Sequence, residues 1–164
     1  MLAASIVKLP IALEDLASKL PAKGRLIGVD LGSRTIGLAV SDVERRVASP
    51  LTTLRRTAFQ KDAEALTSVF AKFEIVGVIL GLPLDLEGRN SPRAQSTRAF
   101  ARNLLMRTDL PIAYWDERFS TAVVTRALIE NDVTRARRAE VVDRLAAAYI
   151  LQGALDRLAR GVRK

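Results

Sequence analysis

Asp30, the Asp116-Glu117 pair and Asp143 are the residues of this sequence whose types and placement can do chemistry. No histidine or cysteine occurs among the 164 residues, which excludes Ser-His-Asp triads, Cys-His pairs, His-ligated zinc, disulfides and thiolate sites. Any hydrolytic chemistry here must run on carboxylates, Lys or Tyr, or on carboxylate-bound metal. Clustered carboxylates repel strongly unless cations lie between them. Mg²⁺ or Mn²⁺, hard ions that prefer oxygen ligands, are their natural partners. Two such ions about 3.5–4 Å apart can activate water and stabilise the leaving oxygen of a phosphodiester. The competing arrangement pairs each acid with one of the many arginines.

Each acid needs an element to position it. Asp30 interrupts an apolar run from Leu26 to Leu31, which Gly32, Ser33 and Arg34 join to a second apolar run ending at Ser41-Asp42. Two apolar runs joined by a Gly-containing turn predict a β-hairpin. The first run is apolar on both faces, as in a central strand covered on each side. A carboxylate at the end of such a strand is costly unless an arginine, backbone N–H groups or a metal compensates it. Asp116 and Glu117 follow a short strand, Pro111 to Trp115. Sites in open α/β sheets form outside the carboxyl ends of neighbouring strands. If the two strands are parallel neighbours, Asp30 shares one edge with Asp116 or Glu117, and the choice between those two stays open. Asp143 lies mid-helix with Ala139, Ala146, Ala147 and Ile150 at helical spacing, a small-residue face suited to close packing on a sheet. An acid there requires a partner from another element.

The remaining elements fall in order along the chain. Residues 1–24 read as an N-terminal extension, with a short helix from Pro10 to Leu20 presenting Leu13, Leu16 and Leu20, and residues 25–164 as one domain. Arg46 to Leu54 is a third strand, placed at a sheet edge by Pro50. Phe59 to Lys72 has helical periodicity, and Ile75 to Leu80 is a buried strand ending in Gly81-Leu82-Pro83. Asp85 to Ser91 is a loop, and Ser91-Pro92 starts a helix that carries Phe100, Leu104 and Leu105 inward. Ser120 or Thr121 caps a helix to about Glu130, and a last long helix runs from Arg137 to Arg160.

The net charge of +8 and pI near 10.6 come mainly from arginine, which suits bidentate phosphate contact and points to a nucleic-acid partner. Arg34 and Arg118 flank the acidic positions, while Arg89, Arg93, Arg98, Arg102 and Arg107 follow the central loop, and Arg137 and Arg138 open the last helix. Several of these can line a phosphate path; the alternative is a solvated helix surface. An aromatic content of 5% disfavours a base-stacking platform and favours recognition of backbone and shape. No apolar run approaches the roughly 18 residues of a membrane span and no signal peptide is evident, so no membrane partner is expected. The absence of cysteine fits a cytoplasmic location.

Four segments together resemble the YqgF family, also called RuvX, whose members are described as pre-16S rRNA nucleases and Holliday-junction-resolvase-like proteins. They are Gly28-Val-Asp-Leu-Gly32 with Gly37 and Ser41-Asp42; Val78-Ile-Leu-Gly-Leu-Pro83; Asp116-Glu-Arg-Phe-Ser-Thr121; and Val142-Asp143 with Ala146-Ala-Ala148 and Ile150-Leu-Gln152. They occur in family order across residues 25–157. The resemblance implies an α/β protein of RNase H-like fold, a five-stranded mixed sheet flanked by helices. It implies a phosphodiester hydrolase of the two-metal-ion type, with Asp30, Glu117 and Asp143 catalytic and Asp30, Asp116, Glu117 and Asp143 as candidate metal ligands. Related resolvases carry an acid at the end of the fourth strand, where this chain has Gly81-Leu82-Pro83, so the site depends on the fifth-strand acids. Structured RNA, with the 5′ end of pre-16S rRNA foremost, and branched DNA are the two substrate classes. A non-catalytic nucleic-acid-binding module is a further alternative. The Asp-Leu-Gly hairpin also resembles the phosphate-binding hairpin of sugar kinases, actin and Hsp70, but those enclose ATP between two such domains and this chain has room for one. Homodimerisation, common where four-way junctions are cut, stays open.

Overall fold

The structure, a computed structural model, describes residues 7–119 and 135–162. Strand β1 (Arg25–Leu31) alternates between two destinations. Ile27, Val29 and Leu31 face one hydrophobic core, while Leu26 faces a second. Gly28 and Asp30 share the Leu26 side, because strand side chains alternate with a period of two. Asp30 therefore occupies the place where that face would next take an apolar residue, and it is only 2% exposed.

Around β1 the sheet runs in the order β3-β2-β1-β4-β5. β2 (Thr35–Ser41) pairs antiparallel with β1, and β3 (Ala48–Arg55) antiparallel with β2. β4 (Ile75–Leu82) is parallel to β1, and β5 (Ile112–Asp116) parallel to β4. Hence β1, β4 and β5 end at the same edge, as expected for strands whose terminal acids converge. Pro50 does lie in an edge strand, next to a register shift between Leu38 and Ala39. The opposite edge is covered by the N-terminal segment: Ile11 donates its N–H to Ile112 at 2.8 Å and forms a parallel bridge to Ala113.

Among the described residues, three helices and one long one flank the sheet. α2 (Phe59–Lys72) and α3 (Pro92–Leu105) cover the Ile27 face, with Leu66, Phe70, Phe100 and Leu104 buried there. Ser91 caps α3 as its position before Pro92 predicts, accepting the Ala94 N–H at 3.1 Å. The other face is covered by α1 (Leu13–Lys19), which buries Leu13 and Leu16, and by α4 (Arg135–Val162). Residues 11–20 thus build part of this core. The helix expected at 120–130 lies outside the described residues.

α4 crosses the sheet at very short range, because the strands beneath it present glycines. A Cβ on Gly28 would stand 2.7 Å from the Ala147 carbonyl oxygen, and one on Gly37 only 2.1 Å from that of Asp143. Both would collide with backbone, which cannot rotate away. Overpacking of this kind typically costs about 1–3 kcal/mol or more. Gly37→Ala is expected to lower the unfolding free energy measured by urea titration by an amount in that range. Gly161→Ala, where a Cβ meets nothing within 4 Å, is expected to leave it nearly unchanged.

Candidate active site

Asp30 lies directly opposite Gly37 of β2. On its other side, one step beyond the Val29–Leu80 pair, stands Gly81 of β4. A buried carboxylate is thus flanked on its own face by two residues without side chains. Each gap is filled by something carrying another acid. Over Gly37 sits the α4 backbone at Asp143. Over Gly81 sits Glu117, whose Oε1 would be 2.7 Å from a Cβ placed there, beside Ile150 of α4 at 2.6 Å.

Asp143 is partly buried, and its partner from another element is Thr35, whose hydroxyl donates to Asp143 Oδ2. Thr35 opens β2 on the same face as Gly37, two residues away. The turn before it is tied by Gly32 N–H to the Thr35 carbonyl at 2.9 Å and by Arg56 Nη1 to the Gly32 carbonyl at 2.7 Å.

Asp116 and Glu117 diverge. Trp115 packs on the α4 side of the sheet, so Asp116, the next strand residue, projects to the other side. There it is gripped by Arg118, whose Nε lies 3.0 and 2.9 Å from the two carboxylate oxygens and Nη2 2.5 Å from Oδ2. The Arg118 backbone N–H adds a bond of 3.0 Å to Oδ1. Burial pushes the Asp116 carboxyl up, but these hydrogen bonds and the guanidinium charge outweigh it and hold it below the usual range. Glu117 opens a single 3₁₀ turn (Glu117–Phe119) beyond the strand and returns to the Asp30 side.

The arginines divide by layer. Arg34 is exposed on the β1–β2 turn at the carboxyl end of β1. Arg55 is exposed in register with Thr35 and therefore shares its face, a relation that no local sequence pattern announces. Strand register, unreadable from a single segment, is the signal that would have found it. Arg98 lies 5.2 Å from the Tyr114 ring, and both Arg98 and Arg102 act on the Tyr114 hydroxyl, on the α3 side of the sheet away from Asp30. Arg89 is paired with Asp85 at 3.0 Å and with Glu87 at 2.7 Å, while Arg93 is exposed at the start of α3. The side chains of Arg137 and Arg138 lie outside the described residues.

An oxygen-only set of Asp30, Glu117 and Asp143 on one face suits a hard divalent cation in kind. Among the described residues, however, no three acidic side chains yet converge closely enough to hold one. Asp116 is separated from that set by the sheet and by its hold on Arg118.

A central β-hairpin, parallel strands on its far side, helices on both faces and acids gathered at one end of the sheet define an RNase H-like fold. Thermus thermophilus RuvC in complex with a Holliday junction substrate shares it at a TM-score of 0.52 and 14% identity, over 83% of this chain and 96% of that one. Within that class, residues 24–157 match the RuvX family, described as Holliday junction resolvase, and the chain belongs to this family. A relative from Cereibacter sphaeroides is 57% identical over 147 residues, 90% of this chain and 92% of its own. One from Paracoccus denitrificans is 59% identical over 145 residues, 88% and 92% of the two chains. Both bear the name "Putative pre-16S rRNA nuclease".

The Asp116–Arg118 pair carries a pH signature. Because the native carboxyl titrates below its ordinary value of about 3.9, the pair's contribution to stability is complete above that value and is lost as pH falls through the lower native one. Removing the guanidinium leaves the burial effect alone. In Arg118→Met the Asp116 carboxyl, followed by ¹³C NMR, is expected to titrate above 3.9 instead of below it.

Proposed function

We propose that this protein is a metal-dependent nuclease that cleaves phosphodiester bonds in structured nucleic acid, with the 5′ end of pre-16S rRNA as its substrate. The observation that carries the reading is the flanking of buried Asp30 by Gly37 and Gly81, whose gaps admit Asp143 and Glu117 to the same face. The names borne by relatives of 55–59% identity support the choice of substrate.

In this reading Asp30, Glu117 and Asp143 would hold Mg²⁺ or Mn²⁺; three carboxylates more than balance one such ion and fall one charge short of a pair, which a substrate phosphate would make up. A metal held there would supply an activated water and neutralise charge on the phosphate. Asp30 is the fixed ligand, since its strand is buried on both faces. Asp143 enters from α4 with its carboxylate oriented by the Thr35 hydroxyl. Glu117 approaches from the β5 end with the longer reach, and Asp116 is excluded by its engagement with Arg118 on the opposite side of the sheet. Arg34 and Arg55, exposed beside Thr35, would contact phosphates near the scissile bond. Cleavage of branched DNA is the second reading, favoured by the description of the matching family as Holliday junction resolvase.

The deciding experiment incubates wild type and Asp30→Asn with labelled rRNA-leader RNA, a four-way DNA junction and linear controls, in Mg²⁺, Mn²⁺ or EDTA. Cleavage of the leader RNA by wild type is expected, abolished by EDTA and reduced at least a thousandfold in Asp30→Asn. Paired nicks confined to the junction would transfer the assignment to DNA. Binding without cleavage of any substrate, by a folded wild type in either metal, would leave a non-catalytic binder. Separately, Arg34→Ala and Arg55→Ala should each weaken RNA binding at low salt. Each should also lower the slope of log affinity against log salt by roughly one.

A further inference from the structure

Asp116 and Arg118 stand on either side of Glu117 and make four hydrogen bonds to each other around it. The Arg118 backbone bond to Asp116 Oδ1 closes a ring that fixes the peptide units of Glu117, and the side-chain bonds hold that ring to the end of β5. Asp116 is well shielded, its side chain 17% exposed. The guanidinium has a second neighbour, the loop that follows β4. A Cβ on Gly88 would lie 3.0 Å from Arg118 Nη1, 3.3 Å from Nη2 and 3.4 Å from Cζ. Gly88 also has φ of +81°, so both its conformation and this contact favour glycine. Asp85, on the same loop, adds its charge toward Arg118. Its Oδ1 also accepts the N–H groups of Glu87 and Arg89 at 3.0 and 2.7 Å, holding the loop in one shape.

That loop leaves the carboxyl end of β4, the edge where Asp30 and Glu117 lie, and its tip residue Leu86 is 95% exposed. Exposed Arg89 and Arg93 follow it. The loop is therefore a surface that a nucleic acid reaching the acids would meet.

We propose that Asp116 and Arg118 are positioning residues: they aim Glu117 over Gly81 and lock it to the Gly88 loop, coupling that loop's placement to metal binding. Arg118 commits its Nε and Nη2 to Asp116 and serves this strut rather than a phosphate. The inference rests on the reading of Glu117 as a metal ligand. Residues that orient ligands in this way typically change metal affinity by about 10–100-fold when replaced.

The test compares wild type with Arg118→Met, Arg118→Lys, Asp116→Asn and Glu117→Gln. Mn²⁺ affinity is read by titration calorimetry without nucleic acid, and amide exchange of residues 84–90 by mass spectrometry. Nucleic-acid affinity is read in EDTA. Arg118→Met and Asp116→Asn are expected to weaken Mn²⁺ binding at least tenfold and to speed exchange in the loop. Arg118→Lys should behave like Arg118→Met, because an ammonium cannot make the forked contact. Full Mn²⁺ affinity in Arg118→Met, with affinity lost in Glu117→Gln, would overturn the strut and leave the ligand assignment standing. Full Mn²⁺ affinity in Glu117→Gln would overturn the ligand assignment itself. A fall in metal-free nucleic-acid binding that Arg118→Lys rescues, with Mn²⁺ affinity intact, would make Arg118 an ordinary phosphate contact.

Discussion

The contact between the backbone of α4 and the glycine side of the sheet is the constraint from which the rest of this structure follows. Helices usually ride on a sheet across a layer of side chains. Here Gly28 and Gly37 remove that layer where α4 crosses β1 and β2, and the carbonyls of Ala147 and Asp143 move into the vacated space. Ala146, Ala147 and Ala154 keep the helix close along its length, and each is at most 2% exposed. The approach has a chemical consequence. A helix at ordinary distance would leave Asp143 far above the sheet, whereas this one brings it within reach of the Thr35 hydroxyl and onto the face of Asp30.

The other half of the candidate site is set by parity. Neighbouring residues in a strand point to opposite faces, so two adjacent acids at the end of β5 cannot both reach Asp30 from strand geometry. Trp115 settles which does: it fills the α4-side core and packs against Gly153, where a Cβ would meet its ring at 2.6 Å. With Trp115 anchored, Asp116 must turn away, and Glu117 regains the Asp30 side only because the chain leaves β5 in a 3₁₀ turn. Gly81 completes the arrangement by leaving its position open. Gly81 thus lies directly beneath the carboxylate of Glu117.

Much of this was legible in the sequence, and the exceptions have physical reasons. The central hairpin, the Ile75 strand and the Ser91 cap all announce themselves through local patterns, and the structure has each of them. The small-residue face around Asp143 likewise foretold a close helix–sheet contact and a partner for the acid. The choice between Asp116 and Glu117 stayed open because it depends on the parity of a five-residue strand and on the anchoring of Trp115, neither of which neighbouring residues encode. Arg55 was missed because its relation to Thr35 exists only in the β2–β3 register. Arg98 and Arg102 looked like candidates for the same phosphate path as Arg34. Which side of the sheet α3 covers, the fact that separates them, is a property of the whole topology.

The edges of the sheet explain why chemistry gathers at its end. An exposed strand edge offers unpaired N–H and C=O groups to any other chain. At β3 that tendency is blunted by Pro50 and the adjoining register shift, and at β5 Ile11 takes up the Ile112 carbonyl. The carboxyl end is different. There β1, β4 and β5 terminate together, the helix above has been drawn in by glycine, and exposed Arg34 and Arg55 lie at the same end of the sheet as buried Asp30. A polyanion attracted by a net charge of +8 would find at that end both exposed arginines and carboxylates. The acids alone would repel it. Under the proposed reading, a divalent cation held there would turn that repulsion into attraction.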